Sequence, residues 1–239
     1  MRQYIVHFFA LALLTTTYII PTTITRAVRP DAITNTAQEY ALAFDLDNVL
    51  FHPIKKSAYL NAIWYVSPSV WGPAIQQLRT HGRGSINTWR LLCLQKGDMQ
   101  GAHFFQELMQ TKKVYTDTKN IIQRLHKKGY KLFYASNISQ DEIALHKNRS
   151  ETKDVFYCFT DGINVDDAPG KTAHKKPSTN YFKVLKELMA QECGPNVKFI
   201  FIDDKLENVR AAEEQGFIGI HCQNPEKLWK QLKNAGIRF

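Results

Sequence analysis

The chain has 239 residues, 44% of them apolar and 12% aromatic, enough for the sizeable core of one large domain or of one domain with an insertion. Its formal net charge of +9 suits an anionic partner or substrate, but no recognised nucleic-acid-binding motif accompanies the basic residues, and nucleic acid is not an expected partner. The four cysteines, Cys93, Cys158, Cys193 and Cys222, have neither CxxC spacing nor histidines at zinc-finger distance, which argues against a zinc site and leaves disulfide pairing open.

Met1–Ala27 places one early arginine before an apolar stretch from Tyr4 to about Leu14, extended through threonines to Ile20. This resembles a secretory signal, with Thr25 and Ala27 as a small-x-small exit around Arg26. An uncleaved membrane anchor and a buried helix are the competing readings, and His7 and the threonines weaken a spanning helix, which needs ~20 mostly apolar residues. Export to a periplasm or the exterior is the expectation, with membrane association only through this segment if it is uncleaved. Residues 28–37 are polar, contain Pro30 and read as a linker, so that the folded domain starts near Gln38.

Tyr40–Leu50 (YALAFDLDNVL) is an apolar run that ends in Asp45, Leu46, Asp47 and a turn-prone Asn48. A run of this kind predicts a parallel strand buried on both faces. Two carboxylates at its end are either a nucleophile and proton-transfer pair beside a metal, or solvated turn acids. Residues 52–116 show little β pattern but carry apolar groups at helical spacing: Trp64, Val70, Trp71, Ile75 and Leu78, then Trp89, Leu91 and Leu92, then Phe104, Phe105, Leu108 and Met109. They predict a small separate helical domain, with Trp64, Trp71 and Trp89 in its core. Between His52 and Gly129 twelve lysines and arginines face three acids.

The rest alternates. Asp117–Lys128 predicts an amphipathic helix stopped by Gly129, and Tyr130–Ala135 a strand ending in Ser136 and Asn137. Val155–Phe159 predicts a short third strand. Ser178 caps a helix to about Gln191, and Val197–Ile202 is a fourth strand ending in Asp203 and Asp204. Helix Glu207–Gln215 stopped by Gly216, strand Phe217–Cys222 and helix Pro225–Ala235 complete the chain. This order predicts an α/β fold, a doubly wound parallel sheet (residues 38–51 and 117–239) with the helical domain inserted at 52–116.

In such a sheet the strand C-termini open on one crevice. Asp45 and Asp47, Ser136 and Asn137, Lys176, and Asp203 and Asp204 all fall at that side. The set suits phosphoryl chemistry: carboxylates for Mg²⁺, a lysine and hydroxyl for phosphoryl oxygens, and a carboxylate able to attack phosphorus.

FDLDNVL at Phe44–Leu50, YASN at Tyr134–Asn137, KKPSTNYF at Lys175–Phe182 and FIDDKLENVRAAEEQGFIGI at Phe201–Ile220 resemble, in order, the four motifs of the haloacid dehalogenase (HAD) superfamily. The resemblance implies the strand order five-four-one-two-three and makes the helical insert a cap. It implies Asp45 as nucleophile and Asp47 as general acid and then base, with the Asp47 carbonyl facing the metal. Ser136 and Asn137 would bind the phosphoryl group, and Lys176, the lysine before Pro177, would neutralise it. Mg²⁺ would lie on Asp45, Asp47 and Asp204, with Asp203 as an auxiliary. Asn208 either orients the acids or caps its helix. Asn48-Val49 stands where many of the family's phosphatases have Gly-Thr. The acid at Asp47, which dehalogenating members lack, implies a phosphatase acting on a small anionic phosphomonoester. A phosphotransferase of the same fold and an exported, non-catalytic binding protein are the alternatives. Lys55, Lys56, Arg79, His81, Arg83 and Arg90 of the insert are candidates to face an anionic leaving group, or form a merely soluble surface. Cys158 and Cys222, on opposite sheet edges, should not pair.

Overall fold

In the computed structural model, residues 39–73, 86–165, 175–194 and 196–239 are described. The signal-like segment, the linker, Ile75, Leu78, Arg79, His81 and Arg83 lie outside them, as does the side chain of Lys56.

Five parallel strands form one sheet: β1 (Tyr40–Phe44), β2 (Lys131–Ser139), β3 (Asp161–Val165), β4 (Lys198–Asp203) and β5 (Ile218–His221), in the order β3-β2-β1-β4-β5. The first strand in the chain is the central one, pairing Ala41 with both Lys131 and Phe199. Side chains alternate between the sheet faces. Leu42, Phe44, Leu132, Tyr134, Ile200 and Ile202 enter one buried cluster, and Ala41, Ala43, Phe133, Ala135, Phe199 and Phe201 the other. The small Ala41 and Ala43 of the middle strand leave room on the second face for four large rings, Phe133, Phe199, Phe201 and Phe182.

The first face is covered by α6 (Thr116–Lys127) through Ile121, Ile122 and Leu125, by α8 (Lys153–Phe156) and by α11 (Leu228–Asn234), which follows a 3₁₀ turn at Pro225–Lys227. α9 (Thr179–Cys193) covers the second with Tyr181, Phe182, Leu185 and Met189, next to α10 (Leu206–Glu213). Ser178 caps α9 by accepting the Tyr181 amide, as its sequence predicts. Gly129 and Gly216, at φ +85° and +83°, end α6 and the turn after α10 in the left-handed region.

The insert is helical: α1 (Lys56–Leu60), α2 (Ala62–Tyr65), α3 (68–73), α4 (Ile86–Gln95) and α5 (Met99–Gln110). Val66, Val70, Ile86, Cys93, Phe105, Leu108 and Met109 make its own cluster, with Trp71 and Trp89 packed edge-on at 6.0 Å. Asp98 ties it together, accepting the Gly101 amide at the start of α5 and the Ser67 amide before α3. The insert leaves and rejoins the sheet domain side by side: the His52 amide donates to Lys113 O and the Tyr115 amide to Leu50 O, both at 2.8 Å.

Two expectations, the third strand and the place of Trp64, are corrected, and two features were not anticipated. Val155–Phe159 is not a strand: its apolar side chains bury themselves from a helical turn, α8, and the third strand is Asp161–Val165. Gly162 is required there, because a Cβ would strike the Tyr134 carbonyl and ring of the neighbouring strand. An unforeseen helix, α7 (Gln140–Asn148), follows β2. Trp64 is outside the insert's core, 82% exposed. Lys112, one of the twelve basic residues, is buried. The four cysteines are unpaired, with Cys158 in the turn before β3 and Cys222 just after β5.

Candidate active site

β1 stops being a strand at Phe44, yet its ladder continues one step, since the Asp45 amide donates to Ile202 O at 2.8 Å. That bond fixes Asp45 at the carboxyl edge of the central strand. The chain then turns back on itself through Asn48 at φ +63°, a left-handed conformation that asparagine tolerates better than most residues. Leu46, Val49, Leu50 and Phe51 are drawn into the core around this turn.

Lys176 is the centre of the site. Its ammonium donates to Asp45 Oδ1 at 2.9 Å, Asp203 Oδ2 at 2.6 Å and Ala135 O at 2.8 Å, so its three N–H groups reach the ends of β1 and β4 and the middle of β2, which runs on past the expected end at Ala135 to Ser139. The loop that delivers it is held by Asn137, whose side chain donates to Lys176 O and accepts from the Lys176 amide at 3.1 and 2.9 Å. Lys175 beside it is only half-buried. Ser136 is buried on β2 between Ala135 and Asn137, and its carbonyl accepts from the Tyr181 hydroxyl at 3.4 Å.

Both oxygens of Asp203 are engaged, by Lys176, by the Lys205 amide and by the Asn208 side chain. Asn208 therefore orients an acid. Asp204 differs. Its Oδ2 accepts from Asn48 Nδ2 at 2.8 Å, whereas Oδ1 is buried with no partner. Asp45, Asp203 and Asp204 each offer an oxygen within 4.8 Å of the others.

Three carboxylates around one ammonium leave an excess of negative charge. Burial pushes the Asp45 carboxyl up to about 7, Lys176 opposing the shift and Asp203 adding to it. Burial also raises Asp204, against the Asn48 hydrogen bond. For Lys176 burial alone favours the neutral amine, but Asp45 and Asp203 outweigh it and hold the ammonium above the usual lysine range. A hard divalent cation fits this donor set, because it satisfies the orphaned Asp204 Oδ1 and offsets the surplus charge.

Asp47 is not in that cluster. Its half-exposed side chain accepts from Lys112 Nζ at 2.6 Å, and Lys112 also donates to the wholly buried Glu142 Oε1 at 2.5 Å. Arg90, a candidate to face an anionic leaving group, pairs with Asp141 at 2.8 Å and donates to Asn87. Asn48, Lys112 and Glu142 were missing from the sequence-derived set. Ser139-Gln140-Asp141-Glu142 does carry a signal, the S-x-x-E spacing of a helix start, and Ser139 Oγ accepts the Glu142 amide.

The profile of the haloacid dehalogenase-like hydrolase family matches residues 41–216. No curated protein matches the chain. Among solved structures, a protein assigned as a beta-phosphoglucomutase from Thermotoga maritima is 19% identical, with 82% of this chain and 99% of that one covered at a TM-score of 0.54. A HAD family enzyme from Bacteroides thetaiotaomicron, in complex with magnesium and inorganic phosphate, is 17% identical over 74% of this chain and 91% of its own, TM-score 0.50. A Haemophilus somnus protein assigned as a phosphoglycolate phosphatase is 14% identical over 81% and 97%, TM-score 0.50. At these identities the likeness is one of fold.

Proposed function

Since the chain belongs to the haloacid dehalogenase-like hydrolases and is an enzyme of that class, we propose that it is a Mg²⁺-dependent phosphatase that hydrolyses a small phosphomonoester through an aspartyl-phosphate on Asp45. One observation carries this reading: a lysine ammonium joins Asp45 to Asp203, while a third acid, Asp204, keeps a buried oxygen with no partner. A protein of the same fold in complex with magnesium and inorganic phosphate supports it.

The Asp45 and Asp204 carboxylates and the Asp47 carbonyl would hold the ion, with Asp203 fixed behind them. When bound, Mg²⁺ supplies positive charge against the phosphoryl oxygens and the attacking carboxylate. The donors to Asp45, the Leu46 amide at 2.7 Å and Lys176, both use Oδ1, and attack on phosphorus is assigned to Oδ2. As the Asp45–phosphorus bond forms, the bond to the leaving oxygen breaks, and Asp47 gives that oxygen its proton. Asp47, now a carboxylate, takes a proton from water as the water oxygen attacks phosphorus, releasing phosphate and Asp45. Ser136 and Asn137 bind phosphoryl oxygens, and Lys176 keeps two adjacent acids compatible with an incoming dianion.

The test is phosphate release from an aryl phosphate by the full chain with and without Mg²⁺. Release should need Mg²⁺ and fall roughly a thousandfold or more in Asp45→Asn. An Asp45→Asn enzyme that keeps its turnover removes the nucleophile from the scheme. Phosphorylated acceptor in place of free phosphate replaces the hydrolase with a phosphotransferase.

A further inference from the structure

Resting on the phosphatase reading, we infer that Lys112 is the positioning residue for Asp47, anchored by the buried carboxylate of Glu142 and carried on the segment by which the helical insert rejoins the sheet domain.

Lys112 lies two residues beyond α5 and is 5% exposed. Its backbone is fixed from both domains' sides: Arg149 Nη1 donates to Lys112 O at 3.1 Å, and the neighbouring Lys113 carbonyl accepts the His52 amide. Its ammonium bridges two acids of unlike surroundings. Glu142 is buried on α7, and an uncompensated charge there would cost several kcal/mol. Burial alone would raise the Glu142 carboxyl, but Lys112, helped by His146, overcomes this and holds it below the usual range. Asp47, with a side chain 47% exposed, has no such need, because water already solvates it. Lys112 and Glu142 therefore form the fixed pair and Lys112–Asp47 is the contact the pair exists to make.

Glu142 itself departs from local habit. A glutamate three residues after a capping serine usually turns back toward the cap backbone. Here Ser139 receives the Glu142 amide, but the Glu142 carboxylate reaches away to Lys112. The adjacent Asp141 reaches the insert too, through Arg90. The first turn of α7 thus presents two acids to two cations of the insert, and one of those cations holds the group assigned to proton transfer. Without Lys112 the half-exposed Asp47 carboxyl would lose the contact that fixes its rotamer.

Proton donation matters most when the leaving group is poor, which gives a readout that mere loss of structure does not move. The assay is kcat/KM for a p-nitrophenyl phosphate and for an alkyl phosphate, since this parameter reports the steps up to departure of the leaving group. The variant is Lys112→Met combined with Glu142→Gln, which removes both buried charges together. The expected result is a ratio of aryl to alkyl kcat/KM that rises roughly ten- to a hundredfold, in the same sense as for Asp47→Asn and without adding to it when the substitutions are combined. An unchanged ratio, whatever the fall in overall rate, overturns the inference. If the paired variant does not fold, Glu142→Gln alone decides on the same substrates: it keeps the shape of the side chain but removes the charge that anchors Lys112, so the ratio should rise, and a wild-type ratio refutes the role. A wild-type chain that releases phosphate from neither substrate refutes the phosphatase reading itself, a result distinct from either of these.

Discussion

Replacing Lys176 by methionine keeps the length of the side chain and removes its charge from between Asp45 and Asp203. Taking one partner from a buried ion pair costs roughly 3–5 kcal/mol, because the remaining charge has no solvent to turn to. Here two carboxylates and the Ala135 carbonyl lose their donor together, which places the loss at the upper end, about 4–5 kcal/mol. In a domain of this size 1 kcal/mol moves the Tm by roughly 2–4 °C, so the metal-free variant should melt roughly 8–20 °C below the parent. Protonation offers partial escape: the Asp45 carboxyl already lies near 7 with the lysine in place, and without it the acids take up protons more readily. The deficit should accordingly be larger at pH 8 than at pH 6. Mg²⁺ should return about 2.7 kcal/mol at a hundredfold excess over its Kd, in the variant as in the parent. The assay is thermal unfolding of both proteins at the two pH values, with and without the ion. A variant that melts within 2 °C of the parent at pH 8 without Mg²⁺, or a parent indifferent to Mg²⁺, would refute the account of the site's charge balance.

Two further outcomes follow from the fold around the site. His146 is wholly buried, its ring 4.3 Å from that of Phe51, and burial lowers its pKa below the ordinary 6.5. The groups facing it, Glu142, Lys112 and Arg149, do not reverse the shift. The folded state then binds fewer protons than the unfolded chain below about 6.5, so this stability is present above that pH and is lost as the pH falls. The raised Asp45 carboxyl acts in the opposite sense over the same range but is common to both proteins, so the difference in stability between the parent and His146→Phe, read from urea titrations, should move in favour of the variant as the pH falls from about 6.5 to about 5; a difference that does not change with pH would exclude His146 as its source. Gly162→Ala should cost about 1–3 kcal/mol in a urea midpoint, since its Cβ would have to displace the Tyr134 carbonyl of β2, and an undiminished midpoint would mean that the β2–β3 register is wrong.

What could be seen in the chain alone was whatever a short stretch decides by itself. The apolar runs before Asp45 and before Asp203 announce buried strands, and an acid at the end of such a run is conspicuous. Ser178, Gly129 and Gly216 announce helix limits by backbone chemistry. The third strand was hidden because it lies at the sheet edge and spends Asp161 and Gly162, poor strand formers, while the more strand-like Val155–Phe159 is buried as a helical turn. α7 was hidden because its polar sequence lacks a clear apolar stripe. Lys112 is the sharpest case. Beside Lys113 in a polar connector, it carries no local sign of burial, and only its two partners, 65 and 30 residues away, show that it is interior.

The central place of β1 also sets a timetable. Tyr40–Phe44 leaves the ribosome early, but one flank of this strand is filled only when Lys131 and its neighbours emerge, and the other only after Lys198. The lysine at position 176 and the acids at 203 and 204 come later than the nucleophile by most of the chain's length. Pairings so distant along the chain form slowly, since a long loop must close before any of their contacts is made. A nascent chain halted before residue 198 therefore displays a bare hydrophobic strand edge and lacks Asp203 and Asp204, which makes it incapable of turnover. Activity arrives all at once, with the last third of synthesis.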